Sequence, residues 1–230
     1  MSFEYVKSNY VSLLEEVKIL AEKAGREVTL VAVTKSGSDA ELIALAEAGV
    51  THVGENRPGE LRRRGDLLRD RGFTPELHEI GNLQRNKVKL IIDSVTLIHS
   101  LDSIELAKEI DKQAARIGRV VPVLIEVNSA REEQKGGVLP EDAEEFLLSL
   151  KQFSSIEVKG LMTMGPVCDS PEELRPYFKA TKDLFDRLNR DHGFNGGILS
   201  MGMSDSYAVA IEEGSTLVRV GRKLFNICNR

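Results

Sequence analysis

The order of apolar segments along the chain constrains the fold more than any other feature. After an opening amphipathic helix, predicted over about residues 3–25, strand-like and helix-like patterns alternate without a break. The predicted strands are 28–34, 51–54, 76–80, 95–99, 120–128, 157–163, 197–201 and 216–220. Alternating strands and helices are typical of a parallel sheet with right-handed crossovers, and eight such units predict a closed α/β barrel of the (β/α)8 type. An open doubly wound sheet is the alternative.

Helix boundary signals support this division of the chain. Two serines are followed three residues later by a glutamate, which is the pattern of a capping box: Ser38 with Glu41, and Ser170 with Glu173. Pro140 suits the first position of a helix, and Gly49 and Gly118 suit helix ends. Pro176 should kink or shorten the first turn of the helix after Ser170.

The C-terminal end of the pattern favours closure. Only nine residues follow Gly221, so the eighth strand has little chain for a helix of its own, and the N-terminal helix could fill that gap. A length of 230 residues suits either one barrel or two small domains. Because no linker, repeat or low-complexity segment divides the chain, we expect a single domain over 1–230.

Composition and charge exclude several classes of protein. A hydrophobic fraction of 41% and a charged fraction of 29% are typical of a globular protein with a substantial core. The net charge is −5 and basic residues are mixed with acidic ones, so nucleic acid is not an expected partner. The one basic cluster, 61–64, is interpreted as a solvated helix face.

Targeting and cysteine patterns indicate a cytoplasmic protein. The start, MSFEYVKSNY, lacks the basic and apolar regions of a signal peptide, and no segment approaches the roughly 20 apolar residues of a membrane span. Cys168 and Cys228 have no metal-type spacing, and a disulfide is not expected. We therefore predict neither a membrane association nor a metal site.

Polar residues follow nearly every predicted strand. In a barrel these positions meet at one mouth, which is where such folds carry their chemistry. Lys35 ends the apolar first strand and is the only amine directly after a strand end. Its companions at the other strand ends are Glu55, Asn56, Gln84, Asn86, His99, Ser100, Asn128, and the segments 162–165, 200–205 and 219–222.

Two of these groups predict a phosphate site. The segment 200–205 joins the seventh strand to a predicted helix over 205–213, and the segment 219–222 follows the eighth strand. Glycine in each segment permits close backbone approach, so that free N–H groups can meet an anion. The alternative is that Ser204 and Asp205 only cap the helix.

Lys35 opposite a phosphate site suggests a phosphorylated aldehyde held as an imine, and pyridoxal 5′-phosphate fits this description best. Partial desolvation of Lys35 would disfavour its charged form and make the reactive neutral amine accessible. A lysine that extends to solvent at the rim is the alternative for this residue, and a Schiff-base aldolase is an alternative for the chemistry.

Nine segments in order carry a resemblance to a known family. They are VAVTK (31–35), GEN with Glu60 (54–60), HEIGNLQRNKVK (78–89), LIHSLDS (97–103), EVN (126–128), EEQKGG (132–137), GLMTM (160–164), LSMGMSDSY (199–207) and VRVG (218–221). The chain resembles the pyridoxal phosphate homeostasis proteins, also called proline synthetase co-transcribed homologue proteins. The resemblance implies a barrel similar to the N-terminal domain of alanine racemase.

The resemblance also implies a set of cofactor-binding residues. Lys35 would form the imine, and Arg219 would lie near the phosphate or the pyridine ring. The other implied residues are Asn56 in the pocket, Ser200, Ser204 and Gly221 near the phosphate, and Met201 and Met162 in the pocket wall. The two methionines are equally compatible with a role in the core. His78 is interpreted as a structural histidine.

The chain departs from the family pattern at Arg222, Lys223 and Asn226. Related sequences usually have a threonine or serine, then a small or apolar residue, and a glycine at the third position. We predict that the Arg222 guanidinium contacts the phosphate in place of the missing hydroxyl group. In the alternative, this side chain points to solvent.

The resemblance implies a non-catalytic protein that binds pyridoxal phosphate and acts in vitamin B6 homeostasis, with pyridoxal phosphate-dependent apo-enzymes as potential partners. A racemase-like enzyme is the alternative. Racemisation needs acid and base groups on both faces of the substrate carbon, and alanine racemases add a C-terminal β-domain and a partner-chain tyrosine. We expect neither addition here, because nothing follows Arg230. An arginine facing the pyridine nitrogen would also weaken the ring as an electron sink.

Overall fold

Eight parallel strands close into a barrel, because the first strand pairs with both the second and the eighth. The computed structural model describes residues 3–132, 134–194 and 197–226. The strands are β1 Thr29–Val33, β2 His52–Glu55, β3 Glu76–Glu79, β4 Leu97–Leu101, β5 Val121–Val127, β6 Ile156–Thr163, β7 Ile198–Ser200 and β8 Leu217–Val220. They are neighbours in sequence order around the barrel. The predicted closed barrel is confirmed, and the open sheet is excluded.

Helices surround the barrel. They are α1 Glu4–Lys23, α2 Asp39–Glu47, α3 Pro58–Arg69, α4 Ile104–Arg116, α5 Ala143–Leu150, α6 Arg175–His192, α7 Tyr207–Glu212 and α8 Arg222–Phe225, with 3-10 helices at Arg85–Leu90 and Pro171–Leu174. The predicted N-terminal helix is present as α1, which buries Val6, Tyr10, Leu13, Val17 and Ala21 at helical spacing. It packs against α2, α7 and α8, and so covers the side of the barrel where the described chain after the eighth strand forms a four-residue helix.

Most of the predicted helix boundaries are confirmed. Both capping boxes are present, and Gly49 and Gly118 follow helix ends with φ of 86° and 65°, which glycine adopts without steric cost. Pro176 lies in the first turn of α6, after a separate 3-10 turn.

The predicted helix start at Pro140 is wrong. Val138 forms a β-bridge with Val127, and the N–H group of Asp142 donates to the carbonyl oxygen of Leu139. The chain through Pro140 is therefore occupied by a bridge and a turn, and α5 begins only at Ala143.

The core has two layers. Alternate residues along each strand point into the barrel or outward to the helices. Inside the barrel, Val31, Leu97, Leu124, Met162 and Leu217 form one apolar cluster. A larger cluster fills the space between the barrel and the helices. Burial of each such side chain contributes about 1.5–3 kcal/mol to folding. The packed core therefore holds the strands, and the polar residues at their carboxyl ends, in fixed positions.

Within the described residues, none of the helices combines the length and apolar character needed to cross a membrane. Cys168 is a free thiol, and Cys228 lies outside the residues that the structure describes.

Candidate functional site

A pocket of about 260 Å³ opens where the strands end at the carboxyl mouth of the barrel. Six of the nine predicted site residues line it: Lys35, Asn56, Ser204, Arg219, Gly221 and Arg222. They follow or end strands β1, β2, β7 and β8, which are far apart in sequence. The parallel barrel brings them together because every strand carries its carboxyl end to the same mouth.

The other three predicted residues, Ser200, Met201 and Met162, do not line the pocket. Ser200 is fully buried inside the barrel, where its hydroxyl oxygen accepts a hydrogen bond from the Arg219 guanidinium. Met201 is fully buried in the apolar layer outside the strands, and Met162 lies in the barrel interior. Both methionines are therefore core residues in this structure. Ser200 does not line the pocket itself, but it contacts Arg219, which does.

Lys35 is exposed at the pocket rim, next to a tightly held turn. The N–H group of Gly37 donates to the carbonyl oxygen of Thr34 over 2.9 Å, which folds the segment 34–37 back on itself. The partial burial predicted for Lys35 is absent in this conformation, in which the side chain is exposed.

Arg64, on α3, holds this turn at both ends. One guanidinium nitrogen donates to the carbonyl oxygen of Thr34 and to Glu55 Oε1, the latter over 2.8 Å, and the other donates to the carbonyl oxygen of Gly37 over 2.6 Å. Thr34 Oγ1 also donates to Glu55 Oε1. Arg64 and Glu55 are 7% and 1% exposed, so this is a buried ion pair that fixes the backbone around Lys35.

The interpretation of the basic cluster 61–64 as a solvated helix face is therefore wrong for one of its three arginines, Arg64, and for Leu61 beside them. Arg62 and Arg63 form exposed ion pairs with Asp93 and Asp39, as expected for such a face. Arg64 lies on the inward face of α3 with Leu61, Gly65 and Leu68. The signal was available, because positions 61, 64, 65 and 68 have the i, i+3, i+4, i+7 spacing of a buried helical stripe.

Ser204 faces two backbone donors across the pocket. Its hydroxyl oxygen accepts the N–H groups of Gly221 and Arg222 over 3.3 and 3.1 Å. It does not cap α7, whose N-cap residue is Ser206, so the capping alternative is excluded for Ser204. A Cβ atom on Gly221 would lie 2.9 Å from the carbonyl oxygen of Val33, so only glycine permits this approach of β8 to β1.

The backbone N–H group of Arg222 contacts Ser204, while its guanidinium lies at the protein surface. The side chain forms an ion pair with Asp205, and the two side chains are 69% and 68% exposed. This placement matches the alternative in which the Arg222 side chain points to solvent rather than to the phosphate.

Arg219 supplies the buried positive charge of the site. It is 3% exposed, and its guanidinium donates to Ser200 Oγ and, over 3.1 Å, to the carbonyl oxygen of Thr163. Burial lowers its pKa to about 10, an effect that the charge of Glu126 partly offsets. The guanidinium remains protonated at neutral pH and is held at a fixed position on the pocket floor.

A chain of three histidines continues from Ser200 through the barrel interior. Ser200 Oγ lies 3.1 Å from His99 Nδ1, His99 Nε2 lies 2.9 Å from His78 Nδ1, and His78 Nε2 lies 3.0 Å from His52 Nδ1. Burial lowers the pKa of His78 to about 3 and that of His99 well below its ordinary value. Both imidazoles are therefore neutral, and hydrogen-bonding distances link each of them to its neighbours in the chain.

The environment of Glu126, on β5, leads us to expect that the free energy of unfolding depends on pH. Burial raises its pKa from 4.5 to about 7, Asp102 adds to this increase and Arg219 opposes it. The folded protein therefore holds a proton that the unfolded chain releases above pH 4.5, and this contribution is lost as pH rises through about 7.

We expect the wild type to lose up to about 1.4 kcal/mol of unfolding free energy per pH unit in this window, relative to Glu126→Gln. Glutamine is the matched control because it keeps the shape of the protonated acid. Urea unfolding of both proteins at pH 5 and pH 7 measures the difference. An identical pH dependence in the two proteins would contradict the assignment.

The chain matches known proteins over almost its whole length. Residues 9–227 match the family model described as alanine racemase, N-terminal domain. A pyridoxal phosphate homeostasis protein of Aquifex aeolicus is 41% identical over 216 residues, which is 93% of this chain and 94% of that relative. A protein of the same name from Schizosaccharomyces pombe is 37% identical, with 87% of this chain and 84% of the relative covered.

Solved structures share the fold. PipY of Synechococcus elongatus with pyridoxal phosphate bound has a TM-score of 0.84 at 28% identity, covering 96% of this chain and 100% of that chain. An alanine racemase of Clostridium difficile has a TM-score of 0.77 at 19% identity, covering 99% of this chain and 60% of that one, a likeness of fold alone. With its closed barrel and these matches, the chain belongs to the family of pyridoxal phosphate homeostasis proteins, whose barrel is of the alanine racemase N-terminal-domain type.

Proposed function

We propose that this protein binds pyridoxal 5′-phosphate at the carboxyl mouth of the barrel and acts in the homeostasis of that cofactor, without a catalytic reaction of its own. One observation carries the proposal: a single pocket places the amine of Lys35 together with the Ser204 hydroxyl, two backbone N–H groups and the Arg219 guanidinium. The names of the relatives and the pyridoxal phosphate in PipY support it.

The residues of the pocket fit the chemistry of this cofactor. Its aldehyde requires a primary amine, and Lys35 is the lysine that lines the pocket. Its phosphate requires N–H donors and a hydroxyl group, which Gly221, Arg222 and Ser204 supply. A volume of about 260 Å³ suits a ligand smaller than the drug-sized molecules that occupy roughly 300–1,000 Å³.

Arg219 supports a carrier rather than an enzyme. A buried, fixed guanidinium disfavours a second positive charge close to it. When bound, pyridoxal phosphate can serve as an electron sink, and this capacity depends on protonation of its ring nitrogen. If the ring nitrogen of the bound cofactor lay beside Arg219, the guanidinium would disfavour protonation of that nitrogen and so weaken the cofactor as an electron sink. Storage and delivery to apo-enzymes in the cytoplasm is the role that we propose for the domain over 1–230.

Reduction of the loaded protein tests the binding site. Purified protein is mixed with pyridoxal phosphate, and the absorbance spectrum is measured before and after borohydride, followed by peptide mapping. We expect the reduced label on Lys35. Lys135 is the competing acceptor, since it lies at the same mouth, but its amine is 2.7 Å from Glu132 Oε1 in an ion pair. A label confined to Lys135, Lys87 or Lys89 would overturn the proposal.

A racemase assay tests the absence of catalysis. The loaded protein is incubated with L-alanine and other L-amino acids, and the products are separated by chiral chromatography. We expect no racemisation above that of free cofactor. Turnover near the roughly 1–10³ s⁻¹ of typical enzymes would establish the racemase-like alternative instead.

Arg222→Thr is expected to leave cofactor affinity unchanged or slightly higher. The guanidinium is engaged by Asp205 at the surface, whereas the backbone N–H group of residue 222 survives the substitution, and threonine adds a hydroxyl group beside Gly221. Cofactor dissociation constants at two salt concentrations measure this. A loss of more than about tenfold, larger at low salt, would show that the guanidinium moves to the phosphate, as charge-assisted bonds are worth roughly 1.5–3 kcal/mol.

A further inference from the structure

The opposite, amino-terminal end of the barrel contains a cluster of three side chains of the types that serve as metal ligands. His52 is the first residue of β2, Glu76 is the first residue of β3, and His78 lies two residues further along β3. His52 pairs with Glu76 in the strand register. One ligand atom from each of the three side chains lies within 4.8 Å of the other two.

The separations of these atoms suit a tetrahedral metal ion. His52 Nδ1 lies 3.0 Å from His78 Nε2 and 3.5 Å from Glu76 Oε2. A zinc ion with bonds of about 2.0–2.1 Å to nitrogen and oxygen holds neighbouring ligand atoms about 3.3 Å apart at the tetrahedral angle. These two separations lie on either side of this value, and all three ligand atoms lie within 4.8 Å of one another, so the side chains would adjust to close the site around an ion.

One of the three ligand residues is held in a fixed position inside the barrel, and the other two are accessible to solvent. His78 is 2% exposed, and its other ring nitrogen is held by His99, which is the kind of contact that orients a metal-binding imidazole. The side chains of His52 and Glu76 are 25% and 55% exposed, so an ion can approach from solvent and water can take the fourth position.

Binding requires lone pairs on the two nitrogens that face each other, and the histidine chain can supply them without losing a proton. In the tautomers that bind an ion, the proton of His78 is on Nδ1 and is donated to His99 Nε2, and the proton of His99 is on Nδ1 and is donated to Ser200 Oγ. The proton of His52 is then on Nε2, and each imidazole stays neutral.

We propose that His52, His78 and Glu76 form a site for Zn²⁺ or a divalent ion of similar ligand preference at the amino-terminal mouth of the barrel. Two imidazoles and one carboxylate are a donor set that suits Zn²⁺ better than Mg²⁺ or Ca²⁺, which prefer oxygen ligands. The site is separate from the cofactor pocket, because none of its three residues lines that pocket.

Metal titration of tag-free, chelator-treated protein tests the proposal. Zn²⁺ binding is measured by calorimetry, and Co²⁺ serves as a spectroscopic probe whose visible bands report tetrahedral coordination. We expect one ion per chain, at least about 100-fold weaker binding in His52→Ala, and a clear loss in Glu76→Gln. His52 and Glu76 are chosen because both are at the barrel end rather than in its closed interior.

His192→Ala is the matched control. His192 Nε2 lies 2.9 Å from Glu144 Oε1, so it is also a histidine beside a carboxylate, but it is not part of any three-residue cluster in the described chain. We expect it to bind Zn²⁺ like the wild type. Absence of Zn²⁺ binding in the wild type, equal affinity in His52→Ala or in Glu76→Gln, or loss of the ion in His192→Ala would each overturn the three-ligand site.

Discussion

Replacing Lys35 with alanine is expected to abolish borohydride-fixable pyridoxal phosphate while the barrel stays folded. The amine of Lys35 is the group in the pocket that can form a reducible bond to the aldehyde. The side chain is exposed, so its removal should change the free energy of unfolding by no more than about 0.5 kcal/mol. Covalent labelling should fall to background, and the residual affinity should come from the phosphate contacts alone.

Two variants control this experiment. Lys135→Ala removes the other amine at the same mouth and should leave labelling intact. Lys35→Arg keeps the positive charge but cannot form the bond, so it separates covalent attachment from charge. Labelling is measured by mass spectrometry after borohydride, and folding by circular dichroism. Undiminished labelling of Lys35→Ala would show that another lysine holds the cofactor.

Replacing Arg64 with alanine is expected to lower the free energy of unfolding by about 3–5 kcal/mol. The substitution leaves Glu55 buried without its ion partner and removes the donors to the carbonyl oxygens of Thr34 and Gly37. Since the total stability of a domain is about 5–15 kcal/mol, this is a large fraction. Cofactor affinity should fall as well, because the turn that carries Lys35 loses its support.

Arg63→Ala is the matched control, one residue away on the same helix. Its ion pairs with Asp39 and Glu60 are exposed, and such pairs are worth about 0–1 kcal/mol. Urea unfolding compares the two variants. If Arg64→Ala does not fold, Arg64→Met combined with Glu55→Gln removes both charges and should recover part of the stability. A loss below about 1 kcal/mol in Arg64→Ala would contradict the positioning role.

The sequence by itself determined the elements and the end of the barrel at which the candidate site lies. Apolar runs and capping signals are local, so all eight strands and both capping boxes could be predicted from neighbouring residues. The candidate site could be proposed from the sequence because parallel strands carry their carboxyl ends to one mouth, whatever the details of packing. This inference needs only the direction of the chain, and it brought Lys35, Asn56, Ser204, Arg219 and Gly221 into one candidate site.

Tertiary structure alone decided which contacts the polar side chains make. Arg64 differs from Arg63 only in the helix face that it occupies, and its partners lie 9 to 30 residues away. Arg222 pairs with Asp205 rather than with the pocket, and Pro140 lies in a turn because Val138 bridges to β5. The His52, Glu76 and His78 cluster and the chain from His78 to Ser200 join four strands. Local periodicity reports burial and direction, but the partner of a charged or hydrogen-bonding group is set by atoms that meet only when the barrel closes.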